Sequence, residues 1–191
     1  MRSRLSRAAG MLCKIRHYVD FDTLKMVYHG IFSSILMYGS LIWGQYNRIV
    51  NRLHIIQNKA IRYMTFKPKR TTATPLFKRA SILKLEDYII QYNCLFAHDC
   101  LNGNLPTPLL DDRITFVHTT GNTRAERLNQ LENFRTRTIL YGTNSIKSRA
   151  VQAWNTINID LHQLKLQGQS KSICKDKVFH YLLDKYDDEI S

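Results

Sequence analysis

The stretch that decides the fold is YNRIVNRLHIIQNKAIRYMT, residues 46–65. Its apolar side chains recur at intervals of three and four residues, the spacing that places side chains on one face of an α-helix. Gln57 lies within this face as its one polar interruption. The sequence therefore predicts a long amphipathic helix whose apolar face packs on other elements. The residues of that predicted face are Tyr46, Ile49, Val50, Leu53, Ile56, Ala60, Ile61 and Met64.

Two further helices are predicted upstream of this stretch. Residues 3–17 have one apolar face, and a second helix begins after DFDT, with Asp22 as its N-cap, and runs through ILMYGSLIWG (35–44). Met26 to Gly44 contains no Lys, Arg, Asp or Glu, but serines, glycines and His29 interrupt it, which favours a buried helix over a membrane span. The apolar faces are predicted at Leu5, Ala8, Ala9, Leu12 and Ile15 and at Leu24, Val27, Ile31, Ile35 and Tyr38.

The downstream half has weaker signals. A basic linker at 67–75 precedes a short helix at 75–80 and a longer one at about 85–101, which ends at Asn102–Gly103. Residues 106–135 are polar and irregular, and TRTILYG (136–142) suggests a short strand. SRAVQAWNTI and CKDKVFHYLLDKY suggest two more helices. The predicted fold is mainly α.

The positive charge is concentrated near the N-terminus. The net charge is +13, and residues 1–70 hold 13 Lys and Arg against Asp20 and Asp22, which gives +11. Such an excess is typical of proteins that contact polyanions, with nucleic acid first and an anionic membrane surface second.

Cysteine usage and the N-terminal residues bear on localisation. The four cysteines are mostly far apart, and MRSRLSRAAGML is basic without a continuous apolar core, unlike a secretory signal. We therefore expect free thiols and a protein of the nucleus or cytoplasm that is neither secreted nor embedded in a membrane.

Candidate chemistry is sparse. Cys94, His98 and Cys100 fall within seven residues, but no second ligand pair completes a structural zinc site. The triplet Tyr186–Asp188 resembles a polymerase signature only loosely, and an acidic, frayed terminus explains it better. HTTGNTR (118–124) could turn around an anion, with Arg124 as the contact, although a simple loop is the plainer interpretation. We predict no catalytic and no metal-ligating residues.

Basic side chains are the best candidates for binding. Several of them lie off the apolar face of the 46–65 helix and continue into the linker, and others lie on the first helix. Phosphate binding needs closely spaced cations, and acidic neighbours that would neutralise them are nearly absent. The predicted nucleic-acid-binding residues are Arg4, Arg7, Lys14, Arg48, Arg52, Lys59, Arg62, Lys67, Lys69 and Arg70.

An ordered series of short phrases resembles a known family. SRAAGMLCKIRHYV, TLKMVYHGIFSSILMYGSLIWG, LHIIQNKAIRYMTF, TPLFKRASILKLEDY, LFAHDCLNGNLP, HTTGNTR and RTRTILYGTNSIKSRAVQAWNTI occur in this order. They are similar to the C-terminal part of reverse transcriptases from non-LTR retrotransposons, the jockey-like mobile elements. The resemblance covers about residues 3–186. In that family the polymerase palm, with its metal-binding aspartates, precedes this region, and its motifs are absent here.

The resemblance implies a non-catalytic segment of an RNA-directed DNA polymerase. A basic, thumb-like helical bundle at 1–103 would be followed by a linker at 104–125. A smaller, looser α+β region at 126–191 would have at most a short hairpin and end in an amphipathic helix. The implied partners are RNA or an RNA–DNA hybrid, bound through the backbone without sequence preference, and the upstream polymerase domains. No cofactor is expected, because Mg²⁺ would act only in the intact polymerase. The alternatives are a helical protein-interaction module and a decayed element fragment without function of its own.

Overall fold

The computed structural model describes residues 1–105, 130–133, 137–160 and 169–188. Most of these residues are helical, and no β-strand occurs among them, so the chain is mainly α. No helix within these ranges is long and apolar enough to cross a membrane. The α-helices are α1 (Arg2–Ile15), α2 (Phe21–Val27), α3 (Ser34–Met37), α4 (Ser40–Trp43), α5 (Asn47–Met64), α6 (Thr74–Ala80), α7 (Leu85–Leu101), α8 (Ile146–Asp160) and α9 (Lys171–Asp188).

The chain divides into two compact units. The first comprises Met1–Tyr88 and Tyr181–Ser191, and the second comprises Ile89–His180. This partition differs from the predicted segments 1–103 and 126–191, because α7 and α9 each contribute residues to both units. The linker predicted at 104–125 lies almost wholly outside the described residues.

In the first unit, α1 packs against α5. Leu5, Ala8, Ala9 and Leu12 of α1 are buried, as their spacing predicts. The predicted face of α5 is buried from Val50 to Met64. Tyr46 and Ile49 were wrongly predicted to be buried and are 44% and 39% exposed. Tyr46 is the extended N-cap of α5, where helical spacing does not apply, and Ile49 lies in the first turn at the edge of the buried face.

The region predicted as one continuous helix through 35–44 is interrupted twice. A π-helical turn, Tyr28–Ser33, separates α2 from α3, and Gly39 with φ +64° separates α3 from α4. Glycine suits the break between α3 and α4 because it has no Cβ to oppose a left-handed backbone.

The N-cap of α2 is Asp20 rather than the predicted Asp22. The carboxylate of Asp20 accepts a hydrogen bond from the Thr23 amide, and the hydrogen bonds from Thr23 lower the pKa of Asp20.

The π-helical turn also changes which residues face the core. A π-helix is wider than an α-helix, so residues four apart stay on one side. The prediction that Ile31 and Tyr38 share the apolar face is wrong, since they are 41% and 85% exposed. Leu24 of the predicted face is buried, and the buried face continues from it at every fourth position through Tyr28, Phe32 and Leu36.

Gln57, the polar residue within the apolar face of α5, is fully buried and links three parts of the first unit. Its Nε2 donates to the hydroxyl of Tyr28 at 3.1 Å and to the carbonyl of Leu83 at 2.9 Å. Its Oε1 accepts from the amide of Leu85 at 2.7 Å. One amide side chain thereby satisfies the turn that precedes α7, where two backbone groups have no helical partner.

The end of α9 belongs to the same unit. Tyr186 is buried, and its hydroxyl accepts from the amide of Lys84 at 2.8 Å and donates to the carboxylate of Asp87. Lys78 forms an ion pair with Asp187. The prediction of a frayed terminus is therefore wrong at Tyr186 and Asp187, which are held in a helix that continues to Asp188.

The second unit contains a π-helical turn at Ile139–Thr143 and α8. The strand predicted over 136–142 is wrong where the structure describes it, because Ile139 begins a helical turn. The helix predicted from SRAVQAWNTI is confirmed, and its residues Ala150, Val151, Trp154 and Ile157 are buried. Asn155 exchanges two hydrogen bonds with the backbone of Leu131, at 2.8 and 2.9 Å.

A polar cluster joins α7 to the start of α9 within the second unit. Asp99 accepts a hydrogen bond from the ammonium group of Lys171 at 2.6 Å. His98 is buried, with its Nε2 2.9 Å from the carbonyl of Gln169 and its Nδ1 3.2 Å from the amide nitrogen of Asn102. The same side-chain nitrogen of Asn102 lies 3.1 Å from Nε2 and donates to the His98 carbonyl at 3.0 Å, so Asn102 contacts both the ring and the backbone of His98.

Candidate nucleic-acid interface

Three cations form a stripe along the outer side of α5. Arg48, Arg52 and Lys59 are exposed, and their spacing of four and seven residues places them within a narrow arc of the helix. The buried residues Leu53 and Ala60 lie on the other side. We call these three cations the α5 stripe.

The cations of the α5 stripe are unpaired in the part of the chain that the structure describes. Among the residues that the structure describes, none of the three forms an ion pair or a side-chain hydrogen bond. The first turn of α5 also contains no acidic residue. Within the described part of the chain, the positive charge of this surface is therefore exposed and unpaired.

Arg62, predicted with the same group, has a different position. It is half-buried, and its Nε donates to the carbonyl of Thr71 at 2.8 Å. This bond ties α5 to the basic linker that follows it. Arg62 therefore fixes the linker, and a role in phosphate binding stays a prediction for its other N–H groups.

The linker holds a second group of exposed cations, Lys67, Lys69 and Arg70, which we call the loop cations. None of them has an ion-pair partner within the described ranges. Their chain path is fixed at both ends, because the Lys67 amide bonds the Arg62 carbonyl and the Thr71 amide bonds the Pro68 carbonyl. These contacts keep three positive charges next to the end of α5.

The predicted cations of α1 are all exposed. Arg7 and Lys14 are two turns apart and face away from the buried residues of α1. Arg4 instead lines a groove with Tyr38 and Ile42. Arg16, at the end of α1, donates to the carbonyl of Tyr63 at 3.1 Å and so attaches α1 to α5.

Two features of this region were missed by sequence reasoning. One is Phe66, whose side chain is 54% exposed beside the loop cations. The run FKPKR, an aromatic residue followed by three cations, could have indicated this feature from the sequence. The other is an apolar groove of about 680 Å³. Its lining residues are Met1, Arg4, Ser34, Ile35, Tyr38, Gly39, Ile42 and Trp43.

The residues considered as metal ligands, Cys94, His98 and Cys100, lie on α7, where Cys94 and His98 are buried and Cys100 is half-buried. Cys94 and Cys174 are buried, and burial raises the pKa of both thiols, that of Cys174 to about 11. Both thiols are therefore protonated at neutral pH. Within the described ranges, no group of three or more His, Cys, Asp or Glu side chains could hold a metal ion.

Comparisons with protein-family models, with curated proteins and with solved structures found no match for this chain.

Proposed function

We propose that this chain binds RNA or an RNA–DNA hybrid through the sugar–phosphate backbone, without sequence preference. The observation that carries the proposal is the exposure of the α5 stripe and the loop cations, which have no ion-pair partners among the residues that the structure describes. The resemblance to the C-terminal region of non-LTR reverse transcriptases supports the choice of RNA or hybrid over other polyanions.

The dimensions of the α5 stripe suit a nucleic-acid strand. Arg48 and Lys59 are separated by about 16 Å along the helix axis at 1.5 Å per residue. A strand of duplex advances about 3.4 Å per nucleotide, so the stripe extends over several consecutive phosphates. Each phosphate contact releases condensed counterions, and the affinity therefore depends on salt but hardly on sequence.

The proposal is tested by replacing the three cations of the α5 stripe with Gln. Arg62 is kept, because its contact with Thr71 positions the linker. We expect weaker binding to a single-stranded RNA and a salt slope reduced by about 2, at roughly 0.7 per lost phosphate contact. Fluorescence anisotropy over a range of salt concentrations measures both.

A control variant with the same loss of charge makes this test specific. Arg137, Lys175 and Lys177 lie in the second unit and are also replaced with Gln. We expect this control to reduce the salt slope by less than half as much. If the two triple variants bind RNA equally well, the α5 stripe is not the binding surface.

The proposal assigns the chemistry of polymerisation to other domains. Here the chain would grip template or hybrid, while palm domains of an intact polymerase would supply the metal-binding carboxylates. Nucleotide incorporation by this chain alone on a primed RNA template would contradict that division.

A helical protein-interaction module is the second candidate. The observation that favours it is the apolar groove near Tyr38 and Ile42, whose side chains are 85% and 67% exposed. Self-association that persists at high salt and is abolished by Ile42→Glu, together with no RNA binding, would favour this function over the first.

A further inference from the structure

Phe66 has an unusual backbone conformation at the end of α5. Its φ is +55°, a left-handed value that a bulky residue rarely adopts. The Lys67 amide bonds the Arg62 carbonyl at 3.0 Å, and the Phe66 amide bonds the Tyr63 carbonyl at 3.3 Å. These two bonds form a Schellman motif, in which Phe66 takes the place that glycine usually fills.

Contacts from the two residues that follow α1 hold the ring of Phe66 in place. The guanidinium carbon of Arg16 lies 4.6 Å from the ring centroid, and the ring of His17 meets that of Phe66 edge-on at 5.2 Å. Arg16 is itself fixed by its bond to the carbonyl of Tyr63. The ring is therefore ordered in advance, although 54% of the side chain is exposed to solvent.

The loop cations directly follow this ring in the chain. Lys67, Lys69 and Arg70 are exposed within four residues of Phe66, and the linker contacts of Arg62 keep them at the end of α5. An exposed, positioned aromatic ring beside unneutralised cations is the combination that proteins use to bind single strands, in which a base stacks on the ring and the cations follow the backbone.

We propose that Phe66 stacks on an unpaired base of single-stranded RNA or DNA while the loop cations contact the flanking phosphates. The inference rests on the proposed function and adds to it the chemical class of the ligand, which is a strand with unstacked bases. Stacking needs only the flat face of a base, so this contact adds affinity without sequence preference.

The test separates the base from the phosphate. Binding of the full chain is measured to two 12-mers of equal charge, oligodeoxythymidylate and a strand of abasic deoxyribose phosphates. We expect wild type to bind the strand with bases about 5- to 150-fold more tightly, the range expected for one stacked base. Phe66→Gly should lose that preference, and Phe66→Trp should keep it.

The choice of glycine controls for folding. Glycine adopts a positive φ without strain, so Phe66→Gly removes the ring and leaves the Schellman motif intact. Circular dichroism and the affinity for the abasic strand verify that the fold and the cations are unchanged. Replacing Phe66 with Ala would leave a side chain in the strained conformation and is a poorer variant.

Each outcome gives a decision. Equal, salt-dependent binding of both strands by wild type overturns the stacking proposal and leaves backbone binding standing. No binding of either strand also overturns the stacking proposal, while the proposed binding of RNA is decided separately by the anisotropy test with single-stranded RNA and the α5 stripe variant. A preference for bases that survives Phe66→Gly overturns the assignment to this ring, and a preference lost in Phe66→Gly and kept in Phe66→Trp supports it.

Discussion

Gln57 and Asp99 are both buried polar residues on helices, one in each compact unit, but their surroundings differ. Gln57 is neutral and forms three hydrogen bonds, with the hydroxyl of Tyr28 and the backbone of Leu83 and Leu85. Asp99 places one oxygen against Lys171, while its other oxygen, Oδ1, has no hydrogen-bond partner among the described residues. The side chain of Lys171 is 58% exposed.

The comparison shows two ways in which a helical unit accommodates a buried polar group. The partners of Gln57 are mostly backbone groups that have no access to water, so losing the amide leaves them unsatisfied. The partner of Asp99 reaches solvent and can be hydrated when the pair is broken. Breaking the Gln57 contacts should therefore cost more than removing the charge of Asp99.

The largest effect is expected for Gln57→Leu. The variant leaves the carbonyl of Leu83 and the amide of Leu85 buried without partners, at about 1–3 kcal/mol for each group. We expect the free energy of unfolding to fall by about 2–4 kcal/mol in urea denaturation. Asn58→Leu is the matched control, because the Oδ1 of this adjacent amide has no partner in the described ranges, and it should cost less than about 1 kcal/mol.

Equal losses of unfolding free energy in Gln57→Leu and Asn58→Leu would contradict the expected cost of the unsatisfied backbone groups. The three hydrogen bonds of Gln57 would then contribute no more to stability than the side-chain amide of Asn58.

An intermediate effect is expected at the pair of Asp99 and Lys171. Lys171→Met leaves the carboxylate of Asp99, only 13% exposed, without its counterion and should cost about 1–2 kcal/mol. Asp99→Asn leaves an exposed ammonium group, which water solvates, and should cost less than about 1 kcal/mol. Urea denaturation of both variants measures this asymmetry, and a larger loss in Asp99→Asn would contradict it.

The smallest effect concerns His54, which lies one turn before Gln57 on α5. Burial lowers the pKa of His54. The charge of Glu86 opposes this shift, and the charges of Lys84 and Arg62 add to it. Its Nδ1 has no partner in the described part of the chain. The unfolded chain then binds the proton more readily, so the free energy of unfolding should decrease as the pH falls below about 6.5.

The contribution of His54 is measured as the change in unfolding free energy between pH 7 and pH 5.5. We expect this change to be smaller in His54→Gln than in wild type, because the variant lacks the titrating group. An unchanged pH dependence would show that protonation of His54 costs nothing in the folded state.

The regular part of the fold follows from the sequence, and the interruptions do not. The apolar spacing predicted the buried face of α5 from Val50 to Met64, and the turn residues Asn102–Gly103 predicted the end of α7. The π-helical turn before α3 was not predictable, because its wider turn depends on which side chains the rest of the unit accommodates. Gln57 could be identified from sequence only as an exception, since its partners near Leu83 lie 26 residues away.

The candidate site was also predictable only in part. Exposure of Arg48, Arg52 and Lys59 follows from helical spacing on α5. The hydrogen bonds by which Arg16 and Arg62 hold the backbone could not be predicted from the sequence, because the carbonyls that they bind lie 47 and nine residues away. Nucleic-acid binding and the resemblance to reverse transcriptases remain proposals.

The burial of Tyr186 has a consequence for synthesis on the ribosome. Tyr186 lies in the second segment of the first unit, which begins at Tyr181, whereas the first segment of that unit ends at Tyr88. About 90 residues are therefore translated between the two segments. At roughly 5–20 residues per second, the N-terminal helices wait on the order of 5–20 s for their last partner. During that interval the amide of Lys84 and the carboxylate of Asp87 lack the tyrosine hydroxyl that they bind in the finished fold. The nascent chain therefore exposes an incomplete bundle for several seconds, and incompletely packed states of this kind are the ones that chaperones protect from aggregation.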